Sequence, residues 1–353
     1  MKKNNASGHK RVISKRDNIS KEKSMLDLIY ELPEQFIDAR RITQSIKLPK
    51  FSKPTNIVIS GMGGSGIGGE MLQSLLSYTS ELPIFIIKDY TLPKYVTKNS
   101  LFFAVSHTGN TEETVSAYEQ ARKIGGQIIC ITSGGKLLNL AKKNRGLFIQ
   151  IPSGIPPRTA IGYLFIPFLI VLAKLGIINN FDLDINETIN ILLARRKFYQ
   201  EQAKQLANNL NGKVPLIYST SRLINPVAIR WRSEFNELAK VFAHMSYFPE
   251  HNHNEIVGLG GPSKMKSLTY LMILVDPDGH PRNLRRADLT LKITKGSYYR
   301  AQKFYPDGKS NLAKIFSLVL QGDLASYYLA VKRKVDPLPV IRIDKLKELM
   351  AKR

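Results

Sequence analysis

The sequence has almost no cysteine and no long uninterrupted apolar run. Cys130 is the only cysteine among 353 residues, which excludes an intrachain disulfide and favours a cytoplasmic protein. The longest apolar candidate, 160–178, is interrupted by Gly162, Pro167 and Lys174, so we expect a buried helix there and not a membrane span. The basic N-terminus is not followed by an apolar run, and the sequence therefore predicts no signal peptide.

Acidic residues are scarce relative to basic ones. The chain has 52 Lys and Arg against 28 Asp and Glu, a formal net charge of +24. Residues 1–23 are polar and basic, and we predict a disordered leader there. The remaining excess is spread along the chain without zinc-finger spacing, an RNA-binding aromatic run or a helix-turn-helix pattern, so a nucleic-acid partner is not expected. Distributed positive charge would suit an anionic substrate such as a phosphate ester.

Short apolar runs alternate with helical patterns, which favours an α/β fold with parallel sheets covered by helices on both faces. The predicted strands are 56–60, 83–87, 101–105, 127–132, 147–151, 215–219 and 269–276, with 289–293 as a further candidate. We predict two doubly wound subdomains with flanking helices. Their predicted bounds are 24–185 with an N-terminal helix, 186–212 as a connecting helix, and 213–353 with a C-terminal helical segment.

A glycine-rich loop follows the first predicted strand and opens a helix. Six of the nine residues from Gly61 to Gly69 are glycine, which lets backbone N–H groups approach an anion at a helix N-terminus. The spacing of Gly61, Gly63 and Gly66 also fits a dinucleotide site, with Asp89 after the next strand as the acid. The loop alone therefore predicts a phosphate site without deciding its ligand.

The third strand ends in a loop rich in hydroxyl groups. Asn110 and Glu113 have capping-box spacing at the start of the next helix. Two such loops at the carboxyl ends of neighbouring parallel strands meet in one crevice, and 131–135 adds a third loop at the same edge. We predict a monophosphate pocket there, whose hydroxyl groups come from Ser106, Thr108 and Thr111.

Charged residues further along the chain are candidates for acid–base chemistry. Arg158 lies between a proline-fixed turn and a helix start, where its guanidinium could face a developing oxyanion. Glu234 and Glu237 are three residues apart on one predicted helix and share a face. Either carboxylate could serve as a base, and the alternative is a solvated helix face with Arg/Glu pairs.

Histidines cluster after this helix. His251 and His253 lie close to Glu255, with His244 nearby. The spacing of His251, His253 and Glu255 could bind zinc, and the residues alone leave this alternative open.

Taken together, the motifs resemble those of the sugar isomerase (SIS) family, and in particular its bifunctional phosphoglucose/phosphomannose isomerase branch. The matches cover the chain from about residue 50 to its end. They are Gly-Gly-Ser-Gly at 63–66, Ser-x-Thr-Gly-Asn-Thr-Glu-Glu-Thr at 106–114, Pro-Pro-Arg-Thr-Ala at 156–160, Asn-Glu at 236–237, Asn-His-Asn-Glu at 252–255 and Asp-Pro-Leu-Pro-Val at 336–340. His107 and His251 depart from the usual pattern.

The resemblance implies an aldose–ketose isomerase that acts on hexose 6-phosphates, with both subdomains of the SIS type. It implies interconversion of glucose 6-phosphate with fructose 6-phosphate, and also of mannose 6-phosphate with fructose 6-phosphate. The route would be a cis-enediol proton transfer without cofactor or metal. A non-catalytic SIS sensor of sugar phosphates, or an SIS isomerase for another sugar phosphate, is the alternative.

The resemblance also implies roles for individual residues. Glu237 would move the proton between C1 and C2, and Arg158 would stabilise the enediolate. His253 would open the ring from the neighbouring subunit of a homodimer, although His251 is an alternative. Lys347, or else Lys345, would contact the sugar oxygens. The phosphate would be held by Gly64, Ser65, Ser106, Thr108 and Thr111.

Overall fold

The computed structural model describes residues 23–351. The predicted leader, apart from Lys23, lies outside the described residues. Nine strands form two parallel sheets within the described range. Their bounds are β1 Asn56–Ser60, β2 Ile84–Ile87, β3 Ser100–Val105, β4 Gln127–Thr132, β5 Leu147–Gln150, β6 Val214–Ser219, β7 His244–Tyr247, β8 Thr269–Leu274 and β9 Arg300–Phe304.

The two sheets share one pattern of strand order. The first runs β2-β1-β3-β4-β5 and the second β7-β6-β8-β9, so the first strand of each half lies between its second and third. Every residue of β1, β3 and β8 is buried. Parallel strands covered on both faces need such continuous apolar runs. This confirms the predicted class of two doubly wound α/β subdomains.

Thirteen α-helices lie within the described range. Their bounds are α1 Met25–Tyr30, α2 Leu32–Gln44, α3 Gly63–Leu75, α4 Glu112–Ile124, α5 Gly135–Lys143, α6 Ile161–Lys174, α7 Asp182–Leu210, α8 Asn225–Glu237, α9 Glu255–Gly258, α10 Met265–Leu268, α11 Pro281–Ile293, α12 Asn311–Lys332 and α13 Ile341–Ala351. Short 3-10 helices cover Pro157–Thr159, Arg222–Ile224 and Glu250–His253. The helix α7 spans most of the predicted connector, and the domain bounds themselves stay a prediction.

One apolar core joins the two halves. It contains side chains from both sheets and from helices α3, α6, α7, α8 and α12. Trp231 of α8 is fully buried and donates its Nε1 hydrogen to the carbonyl of Leu318 on α12 at 2.8 Å. A Cβ at Gly322 of α12 would lie 2.2 Å from that indole nitrogen, so only glycine permits this close packing. Helix α8 is thereby fixed between the two halves.

Three local predictions were wrong. The single helix predicted at the N-terminal end of the first subdomain is two helices, α1 and α2, separated at Glu31. The candidate strand 289–293 is the last part of α11. The capping box at Asn110 does not form, because the Asn110 side chain accepts from the backbone N–H of Lys136 at 2.9 Å and so supports the start of α5 instead.

Candidate active site

The glycine loop lies directly against the turn that carries Arg158. A Cβ at Gly64 would be 2.9 Å from the carbonyl oxygen of Pro157 and 3.4 Å from the Cα of Arg158. Glycine is needed at this position because a side chain would push the two segments apart. Ser65 follows in the first turn of α3 and is buried, with its hydroxyl directed toward the loop after β3.

The hydroxyl loop after β3 is joined to the glycine loop by a hydrogen bond. The backbone N–H of His107 donates to Ser65 Oγ at 3.2 Å. Within the loop, Ser106 Oγ and Thr111 Oγ1 are 2.8 Å apart, and the N–H of Gly109 donates to Ser106 Oγ at 3.1 Å. Three of the predicted phosphate ligands therefore form one connected set, while Thr108 lies exposed on the same loop.

A third loop, between β4 and α5, supports the hydroxyl loop from behind. Ser133 donates to the carbonyl of His107 from its N–H at 2.9 Å and from its hydroxyl at 2.6 Å. Gly109 has φ +72°, and a Cβ there would be 1.8 Å from the carbonyl oxygen of Gly134. The three loops at this edge are thus packed as one rigid unit.

The side chain of His107 is buried between these loops. Burial lowers the pKa of its imidazole, and a hydrogen bond to the Pro152 backbone opposes that effect. His107 is therefore neutral near pH 7, and it contributes to the phosphate loops through its backbone N–H, which donates to Ser65 Oγ.

Arg158 connects the phosphate loops with helix α8. Its guanidinium is buried and donates from Nη2 to the carbonyls of Leu338 at 2.6 Å and Pro337 at 3.0 Å. Its Nη1 lies 4.0 Å from Oε2 of Glu237, the last residue of α8. The predicted base and the predicted oxyanion-stabilising group are therefore neighbours, and Glu237 remains about a third exposed to solvent.

Behind Glu237 lies a buried ionic network. Arg230 donates to both carboxylate oxygens of Asp323, from Nε at 3.0 Å and from Nη2 at 2.7 Å. The same Nη2 donates to the backbone carbonyl of Arg158 at 2.8 Å, and Nη1 lies 3.3 Å from Oε1 of Glu234. Burial raises the pKa of Glu234 to about 8, although the nearby Arg230 lowers it. Glu234 is thus not part of a solvated helix face.

The segment 336–340 is held over this site by two cations. Besides the Arg158 bonds, Lys240 Nζ donates to the carbonyls of Pro339, at 2.6 Å, and of Glu237. Sequence reasoning identified this motif by resemblance but not its contacts. It also missed Asp323, whose signal was that it is the single acidic residue of helix α12.

The histidine cluster lies at the edge of the second sheet, around β7 and the 3-10 helix after it. His244 Nε2 is 2.9 Å from Glu255, and Ser246 donates to the same carboxylate at 2.8 Å. His251 is fully buried against the Tyr218 ring, with a centroid separation of 4.3 Å, and burial lowers its pKa. Among residues 23–351, no group of three or more His, Cys, Asp or Glu is arranged to hold a metal ion.

Two predicted site residues lie apart from the rest within one chain. His253 is exposed beside this cluster, and Lys347 is exposed on α13. In the described part of the chain, neither makes a hydrogen bond or ion pair with Arg158 or Glu237. The structure therefore brings together Gly64, Ser65, Ser106, Thr111, Arg158 and Glu237, and it leaves His253 and Lys347 outside that group.

Comparison with known proteins shows the family to which the chain belongs. Residues 50–145 match the family model of the SIS domain, and residues 199–350 match that of the bacterial phospho-glucose isomerase C-terminal SIS domain. A bifunctional phosphoglucose/phosphomannose isomerase of Caldicellulosiruptor bescii is 40% identical over 93% of this chain and 99% of its own. The chain belongs to the bifunctional phosphoglucose/phosphomannose isomerase family. A second member, from Thermoplasma volcanium, is 37% identical over 89% of this chain and 96% of its own.

The fold of this phosphoglucose/phosphomannose isomerase family member also occurs in distant solved structures. A hypothetical protein from Thermus thermophilus superposes with a TM-score of 0.73 over 95% of this chain and 91% of its own, at 17% identity. At that identity the likeness shows the fold alone. No helix in residues 23–351 is long and apolar enough to span a membrane.

Proposed function

We propose that this protein interconverts glucose 6-phosphate and fructose 6-phosphate, and mannose 6-phosphate and fructose 6-phosphate. The observation that carries the proposal is the contact between the connected phosphate loops and the Arg158–Glu237 pair. The loops would hold the phosphate, and the pair would act on the other end of an open-chain sugar. The names of the relatives at 37–40% identity support both substrate pairs.

Phosphate binding is assigned to the edge of the first sheet. Hydroxyl groups of Ser65, Ser106, Thr108 and Thr111 can donate to the phosphate oxygens, and backbone N–H groups at Gly64 and the start of α3 add to them. No acidic residue occurs in 61–66 or 106–111, so the loops themselves do not repel an anion. Anchoring the phosphate fixes the position of C1 and C2 relative to α8.

Proton transfer is assigned to Glu237. Its carboxylate would remove the proton from C2 of the aldose and return it to C1, while the proton of the C2 hydroxyl passes to O1; together these transfers convert the aldose to the ketose through a cis-enediol. Negative charge develops on the sugar oxygens in that intermediate, and the fixed guanidinium of Arg158 would stabilise it. The carbonyls of Pro337 and Leu338 keep that guanidinium in place before substrate arrives.

Ring opening is assigned to His253 of a second copy of the chain, and contacts to the sugar oxygens are assigned to Lys347. His253 and Lys347 are exposed, and α13 also exposes a set of apolar side chains, namely Ile341, Leu346, Leu349 and Met350. A homodimer that covers α13 would supply His253, and would bring Lys347 to a site that is incomplete in one chain. We also propose a cytoplasmic location, because a chain with a single cysteine has no intrachain disulfide.

The experiment is to incubate the purified full-length protein with fructose 6-phosphate and EDTA, and to follow both aldose phosphates separately. Formation of glucose 6-phosphate and mannose 6-phosphate is the expected result. Glucose 6-phosphate alone would contradict dual specificity, and product only after added zinc would contradict the metal-free route. Tight binding without product would indicate a sensor.

A further inference from the structure

The buried network behind Glu237 has more carboxyl groups than cations. The groups that face Glu234 are Arg230 and Glu237 from its own helix α8, Asp323 from α12, and Arg158 from the turn before α6. Arg230 donates to both oxygens of Asp323 and also lies 3.3 Å from Glu234, but its single positive charge balances only one of these two carboxylates; Arg158 faces Glu237. Glu234 is therefore a third carboxyl group in a set that contains two guanidinium groups.

Water cannot solvate the excess negative charge of these carboxyl groups. Only 4% of Glu234 is exposed, and Arg230 and Asp323 are equally well buried. A buried carboxylate whose negative charge is not balanced by a cation is strongly unfavourable, and such groups take up a proton instead. The Lys240 ammonium does not fill the role, because it donates to the backbone carbonyls of Glu237 and Pro339.

We propose that Glu234 is a positioning residue that stays protonated in the working enzyme and so keeps the field around Arg158 positive. The inference deepens the proposed isomerase function and rests on it for its effect on turnover. With Glu234 neutral, Glu237 is the one carboxylate within residues 23–351 that pairs with Arg158. An ionised Glu234 would place a second negative charge one helical turn away and would oppose the charge that develops on the enediolate.

The direction of the titration agrees with this geometry. Burial raises the pKa of Glu234 well above that of an exposed glutamate. The group is then protonated below its raised pKa and ionises as the pH rises through it. Isomerase activity should accordingly fall on the alkaline side as Glu234 loses its proton.

The first test detects the proton on the Glu234 carboxyl group directly and does not depend on isomerase activity. Infrared spectra of the full-length protein, labelled with ¹³C only in the glutamate carboxyl group, are recorded between pH 6 and pH 10. We expect a protonated glutamate carbonyl band at pH 7 that disappears as the pH rises, and that is missing in Glu234→Gln. Absence of the band from the wild-type protein at pH 7 would overturn the inference, even if Glu234→Gln failed to fold.

The second test compares pH profiles of kcat/KM for the wild type and Glu234→Gln. Glutamine copies the neutral carboxylic acid, so activity at pH 7 should be retained. One pH unit above the Glu234 pKa the variant should exceed the wild type by about tenfold, since the protonated fraction falls tenfold per unit. Loss of activity at every pH, or an unchanged alkaline fall, would overturn the inference.

Glu201→Gln, an exposed change on α7, is the matched control and should alter neither reading. An infrared band without isomerase activity would refute the proposed function and leave the protonation of Glu234 standing. An active enzyme without the band would refute only the role of Glu234.

Discussion

The carboxyl edges of the two sheets have the same architecture but different chemistry. In the first sheet, the loops after β1 and β3 are glycine and hydroxyl rich, and neither contains an acid before its helix begins. The corresponding strands of the second sheet are β6 and β8. Their loops carry Thr220 and Ser221 after β6, but Asp276 and Asp278 after β8.

At the carboxyl edge of the second sheet, the polar groups of the loops bond to one another. The N–H of Asp276 donates to Thr220 Oγ1 at 2.9 Å, and the N–H of Asp278 donates to Asp276 Oδ1 at 3.2 Å. Asp278 also pairs with the buried ammonium of Lys314. Carboxylates in these places disfavour a phosphate, so the second sheet does not repeat the anion site that is proposed for the first.

The two halves share a fold, and their proposed roles differ because different residues follow the corresponding strands. In the proposed mechanism the first half holds the substrate phosphate at its strand ends. The second half places a helix, α8, beside that site and contributes Glu237 at its end.

Removing the carboxylate of the second half should abolish chemistry and spare binding. In Glu237→Gln we expect kcat to fall by about 10²–10⁴-fold, the usual contribution of a positioned base. Affinity for fructose 6-phosphate, measured by calorimetry, should stay close to that of the wild type. Retained turnover, with the exposed control Glu201→Gln also active, would mean that another residue is the base.

Removing one buried hydroxyl group from the carboxyl edge of each sheet should affect substrate binding in the first sheet only. Ser106→Ala should raise the KM for fructose 6-phosphate roughly 10–100-fold, because a hydrogen bond to a charged group contributes about 1.5–3 kcal/mol. Ser219→Ala removes an equally buried hydroxyl that donates to Asn225 Oδ1 at 2.6 Å, and it should leave KM unchanged. Equal effects of the two changes on KM would contradict the assignment of phosphate binding to the first sheet.

Adding a methyl group to a glycine of each edge should also give unequal results. Gly109→Ala forces a positive-φ residue against the Gly134 carbonyl, and we expect a loss of about 2 kcal/mol in the free energy of unfolding. At Gly279, the nearest atom to a Cβ is the Asp276 carbonyl oxygen at 3.1 Å, and the loss should be below about 1 kcal/mol. Urea unfolding measures both, and a larger loss at Gly279 would contradict the rigid packing of the first edge.

The sequence predicts the first edge well, because its signals are local. Glycine and hydroxyl residues follow apolar runs directly, and parallel strand ends must meet at one edge. The second half was harder to predict. Leu289, Leu291 and Ile293 alternate as in a strand, yet they continue a helix that begins at Pro281. The strand β9 was missed because Arg300–Phe304 has only one apolar side chain of any size.

The electrostatics of the candidate site could not be predicted from sequence. Arg230 and Asp323 are 93 residues apart, and only the packing of α8 on α12 brings them together. Whether Glu234 lies in solvent or in the core depends on the same packing. The roles of Glu237, Arg158, His253 and Lys347 came from resemblance, and they stay proposals.

The most direct test of the account is turnover of fructose 6-phosphate in D₂O, followed by NMR, for the wild type and Glu237→Gln. We predict that the wild type forms glucose 6-phosphate and mannose 6-phosphate with deuterium at C2, because the half-buried Glu237 carboxyl exchanges its proton with solvent. The variant should bind the sugar phosphate and form neither product. Unchanged product formation by Glu237→Gln, without deuterium at C2, would contradict proton transfer by Glu237.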